Sequence, residues 1–312
     1  MLLVGWQAGS RRAARLARID AANDTGARRA GVRRGALLRF VTMRLLALTC
    51  EVLARSVYLC AARSPHVVDV RLNRRGLHDD PPNLRAILQS EIDGIGAPYD
   101  AVVLAYGLCG GATAGLRAGE IPLVVPRAHD CITLFLGDRA RYQAEFTSHP
   151  GTYWYVQDYL ERTDDGSAFG GVGAVSEASA RATYEEYVAK YGEDNAAYLM
   201  EALGGWRSHY DRAAFVEMGV SVPAAAVAAE ARARDDADRR GWAFAKVAGD
   251  LLLVRRVIDG AWDPADFLVL QAGERLAMSY DEGVIRAQPE GVPQAPAITF
   301  LAASTAEPAS DA

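Results

Sequence analysis

Cysteine is scarce in this chain, four in 312 residues, too few for the disulfide framework of a small secreted fold. The few thiols fit metal or catalytic use in a reducing cytoplasm. Long apolar runs are missing as well. None approaches the roughly twenty residues a helix needs to cross a bilayer, so no membrane partner is expected. Positive charge is not in excess: the formal net charge is -5, which argues against a general nucleic-acid binder with its basic stripe. What remains is ordinary for a globular protein of one large or two smaller domains, 50% hydrophobic and 23% charged.

Residues 1–42 differ from the rest. They hold nine arginines against two acids, with no apolar stretch long enough for a secretory signal. The composition predicts an extension outside the fold, disordered or preceding the true start, with Met43 opening the first strand. The tail then says nothing about partners.

The chain is organised around residues 99–137, YDAVVLAYGLCGGATAGLRAGEIPLVVPRAHDCITLFLG. Two apolar runs, 101–105 and 121–125, are too short for helices and read as buried parallel strands. Between them a glycine-rich turn and one helix's length of chain, 110–118, predict a β-turn-helix-β unit. Cys109 follows the first strand and Cys131 the second. Upstream, 43–49 is a third apolar run, Cys50 follows it directly, and 51–62 reads as a helix. Three strands thus deliver three thiols to the C-terminal edge of one sheet, where open α/β sheets bind ligands. Cys60, inside the predicted first helix, reads instead as a small packed hydrophobe.

Alternating patterns elsewhere predict strands at 67–72, 151–156, 213–217, 242–247 and 267–270, and helices at 84–95 (capped by Asn83), 138–146, 183–203, 223–240 and 250–259. The fold class is α/β, two Rossmann-like doubly wound units with mostly parallel sheets: 43–160 with the cysteine site, and 183–287. A glycine-rich lid or insertion at 161–182 separates them, and 288–312 is a loose tail.

Three thiolates can hold a four-iron, four-sulfur cluster with one iron open to substrate. The geometry is similar to that of quinolinate synthases, whose α/β units each give one cysteine to a central cluster. Zinc is the other candidate, since three protein ligands and an open position mark a catalytic site; His129 or Asp130 can replace one thiol there. Gly107, Gly110 and Gly111 are the cofactor-binding candidates of the turn, and Arg127 can bind a carboxylate or phosphate. A reading without metal makes Cys109 a nucleophile, its pKa lowered by a helix N-terminus, with His129 as base. Asp130 either supports a ligand or caps a helix from 132, and Glu51 is an acid-base candidate or a first-turn charge. A third reading is a non-enzymatic metal carrier. His66, His78 and His149 lie in polar turns and are expected at the surface; His209 is expected to be structural.

Several blocks carry a family resemblance: CEVL at Cys50, YGLCGG at 106–111, PRAHDCITLFLG at 126–137, PGTYWY at 150–155, YEEYVAKYGEDNAAYLME at 184–201, GDLLLVRRVIDGAW at 249–262 and DFLVLQAGERL at 266–276. The chain resembles domain-of-unknown-function family 1638 over roughly 43–287. That resemblance implies a setting of corrinoid-dependent methyl transfer, with a small molecule or a corrinoid protein as partner.

Overall fold

The computed structural model describes residues 42–96, 99–162 and 210–290, with 184–185, 188–189 and 192–193. The arginine-rich start, residues 163–182 of the expected lid or insertion, most of the expected 183–203 helix, His209 and the end from 291 lie outside the described residues.

The chain has a Rossmann-like α/β fold with a mostly parallel central sheet. Strands β1 (Arg44–Cys50), β2 (Val67–Asn73), β3 (Ala101–Ala105) and β4 (Leu123–Pro126) are parallel and ordered β2-β1-β3-β4. All five residues of β3 and all four of β4 are buried, which is why these runs are continuously apolar rather than alternating. Helix α1 (Ala54–Arg63) returns β1 to β2, and α2 (Pro81–Asp93) returns β2 to β3. The cap of α2 is Asp80, whose carboxylate accepts from the Asn83 amide. Pro81 and Pro82 fit its first turn because no amide donor is needed there, so α2 starts earlier than its apolar spacing predicts.

After β4 come α3 (Cys131–Leu136) and α4 (Arg139–Ser148). The chain then leaves the first sheet. Strand β5 (Thr152–Val156) pairs in parallel with β6 (Arg212–Glu217), and β6 with β7 (Ala243–Ala248). Between them lie α5 (Gln157–Glu161) and α6 (Pro223–Arg240), and α7 (Leu252–Ile258) follows. On one face of this sheet Tyr153, Tyr155 and Phe215 pack with Ala229, Ala233 and Ala237 of α6. On the other, Val156, Ala214, Val216 and Val247 join the core of the first sheet.

Strand β8 (Phe267–Leu270) then returns to the first sheet, antiparallel on β4, and β9 (Glu274–Met278) and β10 (Ile285–Pro289) form a hairpin. Strand membership therefore differs from the sequence reading. Strand β5, grouped there with the first unit, belongs to the second sheet, and β8 to the first.

A second difference concerns residues 110–118, where a helix was expected and a single 3-10 turn, Cys109–Gly111, is found. Three of the backbone groups a helix would use are taken by β9. Gly115 donates to Leu276 O, Leu276 to Leu116 O and Ala118 to Glu274 O, so the hairpin holds residues 115–118 along β9 after a run of tight turns.

The two sheets are also tied by ions. Arg55 of α1 pairs with Asp158 (2.7 Å) and Glu161 (2.6 Å) of α5, and Arg162 reaches Glu51 (3.3 Å). At Asp158 burial outweighs this pairing and pushes the carboxyl up to about 6; at Arg55 the pairing outweighs burial. A carboxyl raised on folding binds its proton more tightly folded than unfolded. Its contribution to stability is present at low pH and lost as pH rises through about 6. We expect wild type to gain about 2–3 kcal/mol on Asp158→Asn between pH 7 and 4. Denaturant midpoints of the two proteins across that range check this, and a constant difference would refute it.

Candidate functional site

The strand order reverses between β1 and β3, and the C-terminal ends at such a switch point form a crevice. Cys50 is the last residue of β1, level with Asn73 at the end of β2, and Thr49 is level with Ala105 at the end of β3. The loop after β3 therefore begins beside Cys50.

That loop is held against the loop after β4 beyond the end of the strands. Leu108 donates to Ala128 O (2.8 Å) and Cys109 to His129 O (2.9 Å). The two backbones come so close at Gly107 that a Cβ there would lie 2.5 Å from Asp130 Cα. Cys109, Gly110 and Gly111 are all left-handed, with φ of 48°, 65° and 88°. For a cysteine this conformation costs about 1–2 kcal/mol, offset by the bond to His129 O and by Arg85, whose guanidinium donates to the Gly111 and Ala112 carbonyls. The three glycines predicted to approach a cofactor are thus explained by close packing at Gly107 and by backbone conformation at Gly110 and Gly111.

Cys50 and Cys131 are buried, and Cys109 is half-buried. The three thiols share one electrostatic neighbourhood. Beyond the dominant effect of burial, ionisation of Cys109 is opposed by Asp130 and then by Cys50, and that of Cys131 by Cys109, Asp130 and Cys50 in turn. Burial pushes the Cys50 thiol up to about 12 and the other two upward as well. Among the described residues, no three His, Cys, Asp or Glu side chains as placed form a metal-holding group. Cys60 packs in the core, as expected of a small hydrophobe.

Two residues of this edge went unread in the sequence. His78, expected at the surface, places Nε2 3.3 Å from Cys50 Sγ and stacks on Tyr106 with ring centroids 5.9 Å apart. Burial and the nearby Arg75 push its pKa down to about 4, so the ring is neutral. Tyr106 is buried at 1% exposure, and Asn73, Cys50 and Cys109 lie in its electrostatic surroundings. A signal for His78 existed, since the turn after β2 must open on the same edge as the ends of β1 and β3. Polar composition hid it. His66 is also not at the surface: its ring accepts from the Met43 amide and reaches Asp259 O.

The other candidates have structural partners. Asp130 caps α3, accepting from the Ile132 and Thr133 amides, and its second oxygen accepts from the Tyr142 hydroxyl at 2.9 Å. His129 is exposed, with its ring stacked on Tyr142, centroids 5.9 Å apart. Arg127 donates to the carbonyls of Pro264, Gly283 and Ile285. The Glu51 carboxylate accepts from the Arg75 amide and from Arg162. The helix N-terminus expected to lower the Cys109 pKa is absent, because the turn that follows is a single 3-10 turn, and burial moves that pKa the other way.

No curated protein and no solved structure matches the chain. A family match covers residues 73–258, a span that holds His78, Cys109, Asp130 and Cys131 and begins after Cys50. On that match the chain belongs to the family described as proteins of unknown function, DUF1638.

Proposed function

We propose that the protein binds a soft metal centre, a four-iron, four-sulfur cluster or zinc, through Cys50, Cys109 and Cys131. One observation carries this reading: β1, β3 and β4 lie side by side and parallel, so Cys50, Cys109 and Cys131, which close or follow these strands, all fall at one edge of the sheet, at its switch point. Thiols whose ionisation burial opposes are stabilised as thiolates by a shared cation, which soft ligands select. His78, against Cys50, is available as a nitrogen ligand or as a donor to a bound sulfur. The side chains as placed do not close a ligand shell, so metal binding is coupled to a reorientation of the three thiol side chains.

A centre with an open position suits alkyl transfer to or from a thiol, with a small molecule or a corrinoid protein as the partner. Metal analysis and an absorption spectrum of protein purified without oxygen test the reading. Broad brown absorbance identifies the cluster, and a colourless protein with one zinc per chain identifies zinc. A metal-free protein that gains no thermal stability from added zinc or from iron and sulfide would overturn it.

A further inference from the structure

A cleft of about 600 Å³ opens beside the thiol edge, between α3 and α4 on one side and the loops at 264–266 and 282–284 on the other. Its size is that of a small-molecule site. Arg127 and Arg139 line it, and they also line a neighbouring opening of about 720 Å³, so both guanidiniums stand between two spaces.

Their hydrogen bonds run to main-chain carbonyls. Arg127 reaches Pro264, Gly283 and Ile285, and Arg139 reaches Ala265 and Glu282. Carbonyls fix the planes of two guanidiniums without cancelling their charge. Burial and the charge of Arg139 push the Arg127 pKa down, against a smaller pull from Asp281. Two of the acids on the wall are engaged elsewhere: Asp138 caps α4, and Asp266 pairs with Arg256 at 2.6 Å. Glu282 is the third.

Thr133 gives the independent observation. It is 1% exposed and lies on the cleft wall, and its hydroxyl has no hydrogen-bond partner. Buried hydroxyls are rarely left so unless a ligand or water completes them. The stacked rings of His129 and Tyr142 also line the cleft.

We propose that this cleft binds a small organic acid, with its oxyanion group on Arg127 and Arg139, its body along the His129–Tyr142 wall and a polar atom on Thr133. The acid is a carboxylate or a phosphate ester, since guanidiniums take both. The inference stands apart from the metal reading, because none of these five side chains is a thiol.

The test is titration of the full chain with phenyl phosphate and with phenylacetate, against chloride at equal ionic strength, for wild type, Arg139→Gln and Thr133→Val. We expect saturable binding of one probe per chain, weakened at least about tenfold by Arg139→Gln and about three- to tenfold by Thr133→Val. The probe that saturates at lower concentration identifies the acid as phosphate or carboxylate. Thr133→Val keeps the shape of the side chain, so it remains informative if Arg139→Gln unfolds. No saturation with either probe, or wild-type binding by Thr133→Val, would overturn the proposal. Metal content measured on the same samples is expected to be unchanged, so loss of this inference and loss of the metal reading are told apart.

Discussion

Gly107→Ala is expected to cost 3 kcal/mol or more in unfolding free energy, about the upper end for an overpacked site. The added methyl would sit 2.5 to 2.7 Å from the Cα, C and N of Asp130. A flexible side chain could swing away from such a contact, but main chain can yield only by moving a whole loop. Moving it breaks the bonds of Leu108 to Ala128 and of Cys109 to His129, which carry the ladder past the ends of β3 and β4. Cys109 would then separate from Cys131, so the variant should lose metal even at temperatures where it stays folded. Gly110→Ala is the control. It has a φ of 65° but nothing within 4 Å of the new methyl, so only the left-handed backbone is penalised, by about 1 kcal/mol. Denaturant midpoints of the two variants decide the matter, and a Gly107→Ala protein no less stable than Gly110→Ala would refute the close-packing argument.

Asp130→Ala should lower stability by about 2–4 kcal/mol, whereas Asp130→Asn should stay within about 1 kcal/mol of wild type. Alanine removes the acceptor of two α3 amides, and loss of a cap costs about 0.5–2 kcal/mol. It also strands the Tyr142 hydroxyl, which has Asp130 as its acceptor. Asparagine keeps an oxygen at the cap and carries no charge. Burial raises the Asp130 pKa, so the negative charge is a burden that the amide lacks. Because Cys131 is the first residue of α3, the alanine variant should also weaken metal retention while the asparagine variant retains it. Equal stability of the two variants would show that the carboxylate does not act through the cap.

The strands that carry the site were legible because they are buried on both faces. Runs such as AVVLA at Ala101–Ala105 admit little else at that length, and each ends where polar, glycine-rich or cysteine-bearing sequence begins. From there the placement of Cys50, Cys109 and Cys131 on one edge followed from parallel order alone. Residues 110–118 were not legible, because their conformation is set by bonds to β9, more than 150 residues later in the chain. Nothing local announces such a partner. The same holds for the sheet to which β5 belongs: TYWYV is a strand by composition, but only pairing with β6 decides where it goes. His78 was lost for the opposite reason. Its local sequence is polar, and it is drawn in by Cys50 and Tyr106, each from a different strand end.

The central claim is that three thiols act as one ligand set. Metal content per chain, measured on Cys50→Ser, Cys109→Ser and Cys131→Ser proteins purified without oxygen beside wild type, tests it most directly. Serine keeps the size and a hydroxyl but not the soft thiolate, so each variant leaves an incomplete shell. The account predicts loss of most of the metal in all three, by about tenfold or more. Unchanged metal in Cys50→Ser and Cys131→Ser, with labelling by a thiol-directed reagent lost only in Cys109→Ser, would contradict it and make Cys109 a lone nucleophile.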